Sequence, residues 1–195
     1  MDTDTQSYDV FIAACPVCEC PAPAKRDNYA GFRVYINEHS SYSYSLANDK
    51  TIKHIDDNLG FGTTMGSNLT PYLRTEYETL YMGAQYSKSD MDFEYDIWVN
   101  MLNIYIMHEF DNAFSPYIGA GLGLSGIWGE INGHLANAFD LSYQAMAGVL
   151  FKLNSRIDID IGFKYTNFGQ IEHPRGTTKI DATQIYIGGV YKFGL

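Results

Sequence analysis

The sequence predicts an all-β fold, an eight-stranded antiparallel up-and-down barrel that crosses a membrane, preceded by a short flexible N-terminal extension. Three observations predict it. Aromatic residues make up 15% of the 195 residues, with 16 Tyr and 11 Phe beside 18 Gly and only 6 Pro, a usage that favours strands. From Tyr29 onward the hydrophobic period is two, the signature of strands with one apolar face. Connections alternate between short turns and longer loops, as they do in up-and-down membrane barrels. A barrel strand needs only about 9 to 11 residues with alternate positions apolar, so hydropathy scans for membrane helices pass over it.

Each strand has its own warrant. In 29–40, Phe32, Val34 and Ile36 oppose Arg33, Tyr35 and Asn37. The segment 56–68 ends at the turn residues before Pro71, and 72–86 alternates Arg74, Glu76 and Glu78 with their neighbours. The segment 91–110 is apolar on both parities over 97–107, which makes its register ambiguous and a bulge plausible; Leu102, Ile104 and Ile106 are expected outward and Asn103 inward. In 116–128, Gly119, Gly121 and Gly123 share one face, where missing side chains make room for bulky neighbours. In 139–153, Leu141, Tyr143, Ala145, Ala147, Val149 and Phe151 oppose Ser142, Gln144, Met146 and Gly148. In 156–169, Ile157 to Tyr165 alternate with Asp158, Asp160, Gly162, Lys164 and Thr166. In 180–193, Ile185, Ile187, Tyr191 and Phe193 oppose Gln184, Tyr186 and Lys192. Residues 68–71, 111–115 and 154–155 read as short turns. The stretches 40–55, 129–138 and 170–179 read as long loops, with 87–90 short on the long side.

The polar faces carry Arg33, Arg74, Lys164 and Lys192 against Glu76, Glu78, Asp158 and Asp160. Such a balance suits a closed interior, because a buried charge without a partner costs several kcal/mol. The apolar faces are then directed to lipid, with aromatic residues near both ends: Tyr72, Phe110, Tyr117, Phe151 and Phe193 at one, Phe93, Tyr95, Trp128 and Phe139 at the other. The competing reading is a soluble lipocalin-like ligand-binding barrel with its apolar face inside.

The chain divides into an extension, 1–28, and a barrel, 29–195. The extension holds Cys15, Cys18 and Cys20, whose C-x-x-C-x-C spacing fits a disulfide with one thiol over, an incomplete metal site, or a lipidated cysteine, and does not choose between them. A basic start and an apolar lead-in of the secretory type are missing from the chain as given. The net charge of −10 and the lack of a Lys/Arg cluster exclude general nucleic-acid binding.

The stretches 102–105, 114–123, 143–149, 162–169 and 187–193, in that order and spacing, resemble the small outer-membrane β-barrel proteins of Gram-negative bacteria: the OmpA-like, OmpX-like and opacity surface-antigen porin family. Residues 74–78 resemble that family's third strand, with its inward Arg and Glu. The resemblance covers about 29–195. It implies a bacterial outer-membrane location, contact with outer-membrane lipid and lipopolysaccharide, and insertion by the barrel assembly machinery through an aromatic C-terminal strand, which Tyr191 and Phe193 fit. The chain departs from the pattern by continuing to Gly194 and Leu195.

The function expected is that of a non-enzymatic, monomeric surface protein that stabilises the envelope or binds a host or envelope ligand through its loops. Tyr42 and Tyr44 lie in a Tyr/Ser mixture of the kind recognition loops favour. No cofactor and no metal are expected. Gly121 to Gly126 match a dinucleotide fingerprint, yet no helical period follows it. His39, His54 and His108 do not converge on a metal site. The alternative on the same fold is a lipid A deacylase, for which His134, His173, Glu130, Glu172 and Ser125 are the only material.

Overall fold

The computed structural model describes residues 27–46, 49–55, 59–88, 91–108, 110, 114–131, 134–173 and 176–194, with side chains over 28–37, 59–83, 96–108, 110, 114–129, 137–170 and 179–193. Among the described residues nine strands form one antiparallel sheet: β1 (Asp27–Leu46), β2 (Asp49–Ile55), β3 (Leu59–Thr70), β4 (Leu73–Lys88), β5 (Met91–Met107), β6 (Phe114–Ile131), β7 (His134–Lys152), β8 (Ile157–His173) and β9 (Gly176–Gly194). Each of β3 to β8 pairs with the next, β3 also pairs with β1, and β9 pairs back onto β1, which closes the barrel. β2 and β3 hold one register against β1, with Ser40 opposite Ile55 and Ile36 opposite Leu59. They act as a single barrel wall, so the closed barrel has eight strands.

Following pairing partners once around the wall from Asn28, through Ser67, Thr75, Ile104, Ala120, Ala145, Tyr165 and Thr183, returns to β1 at His39. That stagger is the shear that tilts barrel strands against the axis. It also brings side chains far apart in sequence to one level inside.

The short turns are where turn chemistry placed them. Asn154 Oδ1 accepts from the backbone N–H groups of Arg156 and Ile157, and Thr70 Oγ1 accepts from Tyr72 N–H. The long connections differ from expectation. Most of 40–55, 129–138 and 170–179 is strand: β1 runs to Leu46, β6 to Ile131 opposite His134, and β8 to His173 opposite Gly176. The wall is extended past the apolar band as paired hairpins, because a backbone above the membrane is still best satisfied by its neighbour.

Pairing through 97–107 is uninterrupted on both sides, so no bulge lies there. Register shifts occur instead at Asn37/His39, Asn68/Thr70 and Asn167/Gly169. At the last of these Gly169 adopts φ 97°, a left-handed conformation that suits glycine, and Phe168 is turned fully inward.

The faces are sorted opposite to a water-soluble barrel. Leu102, Ile118, Leu122, Leu141, Phe163 and Ile187 are exposed on the outside, while Arg33, Glu76, Glu78, Asp160 and Lys164 are at most 2% exposed. Inner polar and outer apolar surface is the arrangement required when the surrounding solvent is lipid. It removes the lipocalin-like reading. Tyr72, Phe110, Phe151 and Phe193 are exposed at the short-turn end, and Trp128 and Phe139 at the hairpin end. Tyr117 does not belong to the outer belt: it is 5% exposed and points inside. Its parity is that of Gly119 and Gly121, not of the outward Ile118 and Leu122.

Candidate functional site: a charge-paired interior beneath surface hairpins

The pleat places Arg33 on β1, Arg74, Glu76 and Glu78 on β4, Asp158, Asp160 and Lys164 on β8, and Lys192 on β9, all facing the interior. Arg33 is the hub. Its Nη1 lies 2.6 Å from Glu76 Oε1 and its Nη2 2.6 Å from Asp160 Oδ2, so one guanidinium joins strands from opposite parts of the wall. Arg74 Nη2 reaches Glu76 Oε2 at 2.7 Å, Lys164 Nζ reaches Glu78 Oε1 at 2.6 Å, and Lys192 Nζ reaches Asp158 Oδ2 at 2.5 Å. The four cations and four anions each have an opposite charge within contact.

Tyrosines complete the carboxylates. Tyr29 and Tyr105 donate to Glu76, Tyr35 to Glu78, and Tyr117 to Asp160, with Tyr117 and Tyr186 hydroxyls also bonded to each other. Rings cover the cations as well: Arg74 lies 3.7 Å from the Tyr29 ring centre and the Lys164 ammonium 4.1 Å from that of Tyr35. Sequence patterning had placed Tyr35 and Tyr186 on polar faces but gave no sign of their partners. Tyr105 and Tyr117 fit because Gly119 and Gly148 leave space; a Cβ at either would collide with a tyrosine ring.

Above the charges lies a layer of amides. Asn103 and Gln144 each donate to Glu78 Oε2 at 2.9 Å, Gln144 also to Asn103 Oδ1, and Gln184 to Asn37 Oδ1 at 2.6 Å. Nearer the hairpins the inward residues turn apolar: Leu80, Met82, Ile97, Val99, Ile127, Phe168, Ile180 and Ala182 are each at most 2% exposed. Among the described residues the buried polar atoms without a protein partner, Asn37 Nδ2, Thr64 Oγ1, Ser142 Oγ and Asp158 Oδ1, are scattered over different strands and do not frame one ligand. Among the described residues no three of His, Cys, Asp and Glu are grouped as metal ligands.

Ser125, a nucleophile for the deacylase reading, is buried and donates its hydroxyl hydrogen to the Phe168 carbonyl, beside the apolar layer. His108 stands at the opposite end, against the rings of Tyr72 and Phe110. The side chains of His39, His54, His134, His173, Glu130, Glu172, Tyr42, Tyr44, Phe93 and Tyr95, and all of Cys15, Cys18 and Cys20, lie outside the described residues.

This interior sorting, in an eight-walled closed barrel, is matched by sequence. Residues 11–193 fit the family model described as the outer membrane protein beta-barrel domain. The chain belongs to that family. A place in the bacterial outer membrane follows from the membership. No curated protein sequence matches. Among solved structures, Neisserial surface protein A superposes with a TM-score of 0.63 at 16% identity, covering 85% of this chain and 97% of that one. OprG of Pseudomonas aeruginosa gives 0.58 at 17%, covering 89% and 98%, and Ail, the attachment invasion locus protein of Yersinia pestis, 0.53 at 11%, covering 87% and 99%. At these identities the likeness is one of fold. For this outer-membrane barrel, the hairpin end corresponds to the outside of the cell, since longer connections are extracellular in the architecture.

Proposed function

We propose that this outer-membrane barrel is a non-enzymatic surface protein whose barrel anchors, and whose extracellular hairpins make contact with a host or envelope component. One observation carries the reading: the described interior holds charges paired with one another below and buried aliphatic side chains above. A lumen of eight strands is just wide enough for side chains, which leaves the projecting hairpins as the part free to act. Tyr42 and Tyr44, on the upper half of β1, belong to the hairpin proposed for contact. The proteins similar in fold include one named for attachment and invasion, solved also with the heparin analogue sucrose octasulfate, and that name accords with the reading. Tyr191 and Phe193, at the end of β9, are proposed as the signal to the assembly machinery.

The test uses cells that carry the full chain or a version with 40–55 replaced by a tight turn. Loss of adherence to epithelial cells, or of resistance to detergent, in the replaced version supports the reading; unchanged behaviour in both assays overturns it. Mass spectrometry of lipid A from the same cells, with a His134→Ala/His173→Ala variant beside them, decides against it if an acyl chain is lost only when both histidines are present.

A further inference from the structure

At the short-turn mouth of the barrel the described side chains of β7 to β9 carry more positive than negative charge. Lys152 ends β7 opposite Asp158, Arg156 stands exposed in the turn into β8, and Lys192 lies beside them on β9, its backbone N–H donating to the Arg156 carbonyl. Asp158 is the one carboxylate next to these three cations among the described residues. Its Oδ2 takes the Lys192 ammonium, while its Oδ1 is buried and receives no donor among the described residues. The Arg156 guanidinium in turn meets no carboxylate among the described residues.

An unmet cation beside an unmet acceptor is selective. A phosphate or a lipid head-group anion would satisfy Arg156 and repel Asp158, and a metal cation would do the reverse. A peptide with acidic side chains meets both needs, because its carboxylates go to the cations and a backbone N–H to Asp158 Oδ1.

Such a peptide is tethered at the mouth itself. β1 starts at Asp27, which pairs with Gly194, and Tyr29 pairs with Lys192, so residues 1–26 join the wall two rungs from Lys192 on the adjoining strand. Residues 1–24 hold Asp2, Asp4, Asp9 and Glu19 and no Lys or Arg. The chain from Asp27 to Glu19 can reach about 28 Å when extended. β8 lies only two strands from β1, roughly 10 Å along the wall. Exposed ion pairs are individually weak, and a short tether compensates by presenting its segment at an effective concentration on the order of millimolar.

From this geometry we infer that the acidic N-terminal segment, residues 1–20, seats as a strap across the β7–β9 side of the periplasmic mouth, with Glu19 on Arg156 and a backbone N–H on Asp158 Oδ1. The strap brings Cys15, Cys18 and Cys20 to the rim of the barrel. The inference is independent of what the hairpins contact.

All three cysteines of the chain lie in this segment, so a full-length Cys15→Ser/Cys18→Ser version keeps a single thiol, that of Cys20. A second thiol is introduced either by Ser155→Cys, next to Arg156, or by Leu69→Cys, near the end of β3. For a segment that wanders freely position 69 is the nearer target, because β3 adjoins β1 directly and β8 is one strand further away. In detergent micelles under a mild oxidant, the intramolecular disulfide to position 155 is expected to form roughly tenfold faster than that to position 69. Arg156→Glu, about 0.5 M NaCl, or Glu19→Lys, which leaves the barrel untouched, is expected to erase the preference. Retained heat-modifiable migration in SDS verifies the folding of each version. Equal rates at the two positions, a preference that survives both charge reversals, or linkage between molecules in place of within one would overturn the inference.

Discussion

The lower and upper halves of the interior are built from the same strands on the same pleat, yet they are held by different physics. Along β4 the inward residues run Arg74, Glu76, Glu78, then Leu80 and Met82; along β5 they run Tyr105 and Asn103, then Met101, Val99 and Ile97. Below, each group depends on a named partner from another strand, so the arrangement is specific and brittle. Above, aliphatic contacts are non-directional, and loss of one side chain removes only its own share of packing. The contrast teaches that a membrane barrel does not need a polar interior everywhere. It needs buried charges to be paired where they occur, and the remaining volume to be filled.

Breaking the lower half should cost most at its hub. Arg33→Leu strands Glu76 beside a single remaining arginine and leaves Asp160 with the Tyr117 hydroxyl alone. A loss of about 5 kcal/mol, the upper end for removing one partner of a buried pair, is expected in urea unfolding from lipid vesicles. Arg74→Leu leaves Glu76 its contact with Arg33, so the expected loss is nearer 3 kcal/mol. If the two variants unfold alike, the hub description is wrong.

In the upper half Ile97→Ala creates a void among Val99, Leu80 and their neighbours without orphaning any polar atom. The expected cost is about 2 to 4 kcal/mol by the same measurement. Combining Ile97→Ala with Arg33→Leu tests whether the halves are separate: additive losses support two independent layers, while strong coupling merges them. At the mouth, Lys192 is one-fifth exposed where it meets Asp158. Water there screens the pair, and Lys192→Met should cost only about 1 kcal/mol. The smallest signal is electrical. Planar bilayers containing the unmodified protein should show no stable large conductance, and reproducible open channels would mean that the two layers do not fill the lumen.

Legibility in the sequence follows the same division. Period-two alternation identified the strand faces of 29–37, 141–151 and 157–166 because neighbouring Cβ atoms point to opposite sides whatever the tertiary fold. It identified Arg33, Glu76 and Lys164 as sharing a polar side with their strand neighbours, but not which carboxylate meets which cation. The segment 97–107 read as ambiguous for a reason the structure makes plain: Ile97, Val99 and Met101 face an apolar interior while Trp98, Leu102 and Ile104 face outward, so both parities are apolar. Tyr117 reads as a belt residue from its place near a strand end, yet it shares its face with Gly119 and Gly121 and points inside. The hairpins of 40–55, 129–138 and 170–179 read as loops because, above the membrane, neither face is required to be apolar and the alternation fades.

By itself, then, the sequence determined an antiparallel eight-walled barrel, its short turns, and the residues on the polar side of each strand, since these depend on pleat and local turn chemistry. Only the tertiary structure decided that Arg33 joins Glu76 to Asp160 and that Lys164 meets Glu78. Those meetings depend on the stagger that carries Asn28 round to His39. The stagger arises from closing the wall as a whole, and no single strand encodes it.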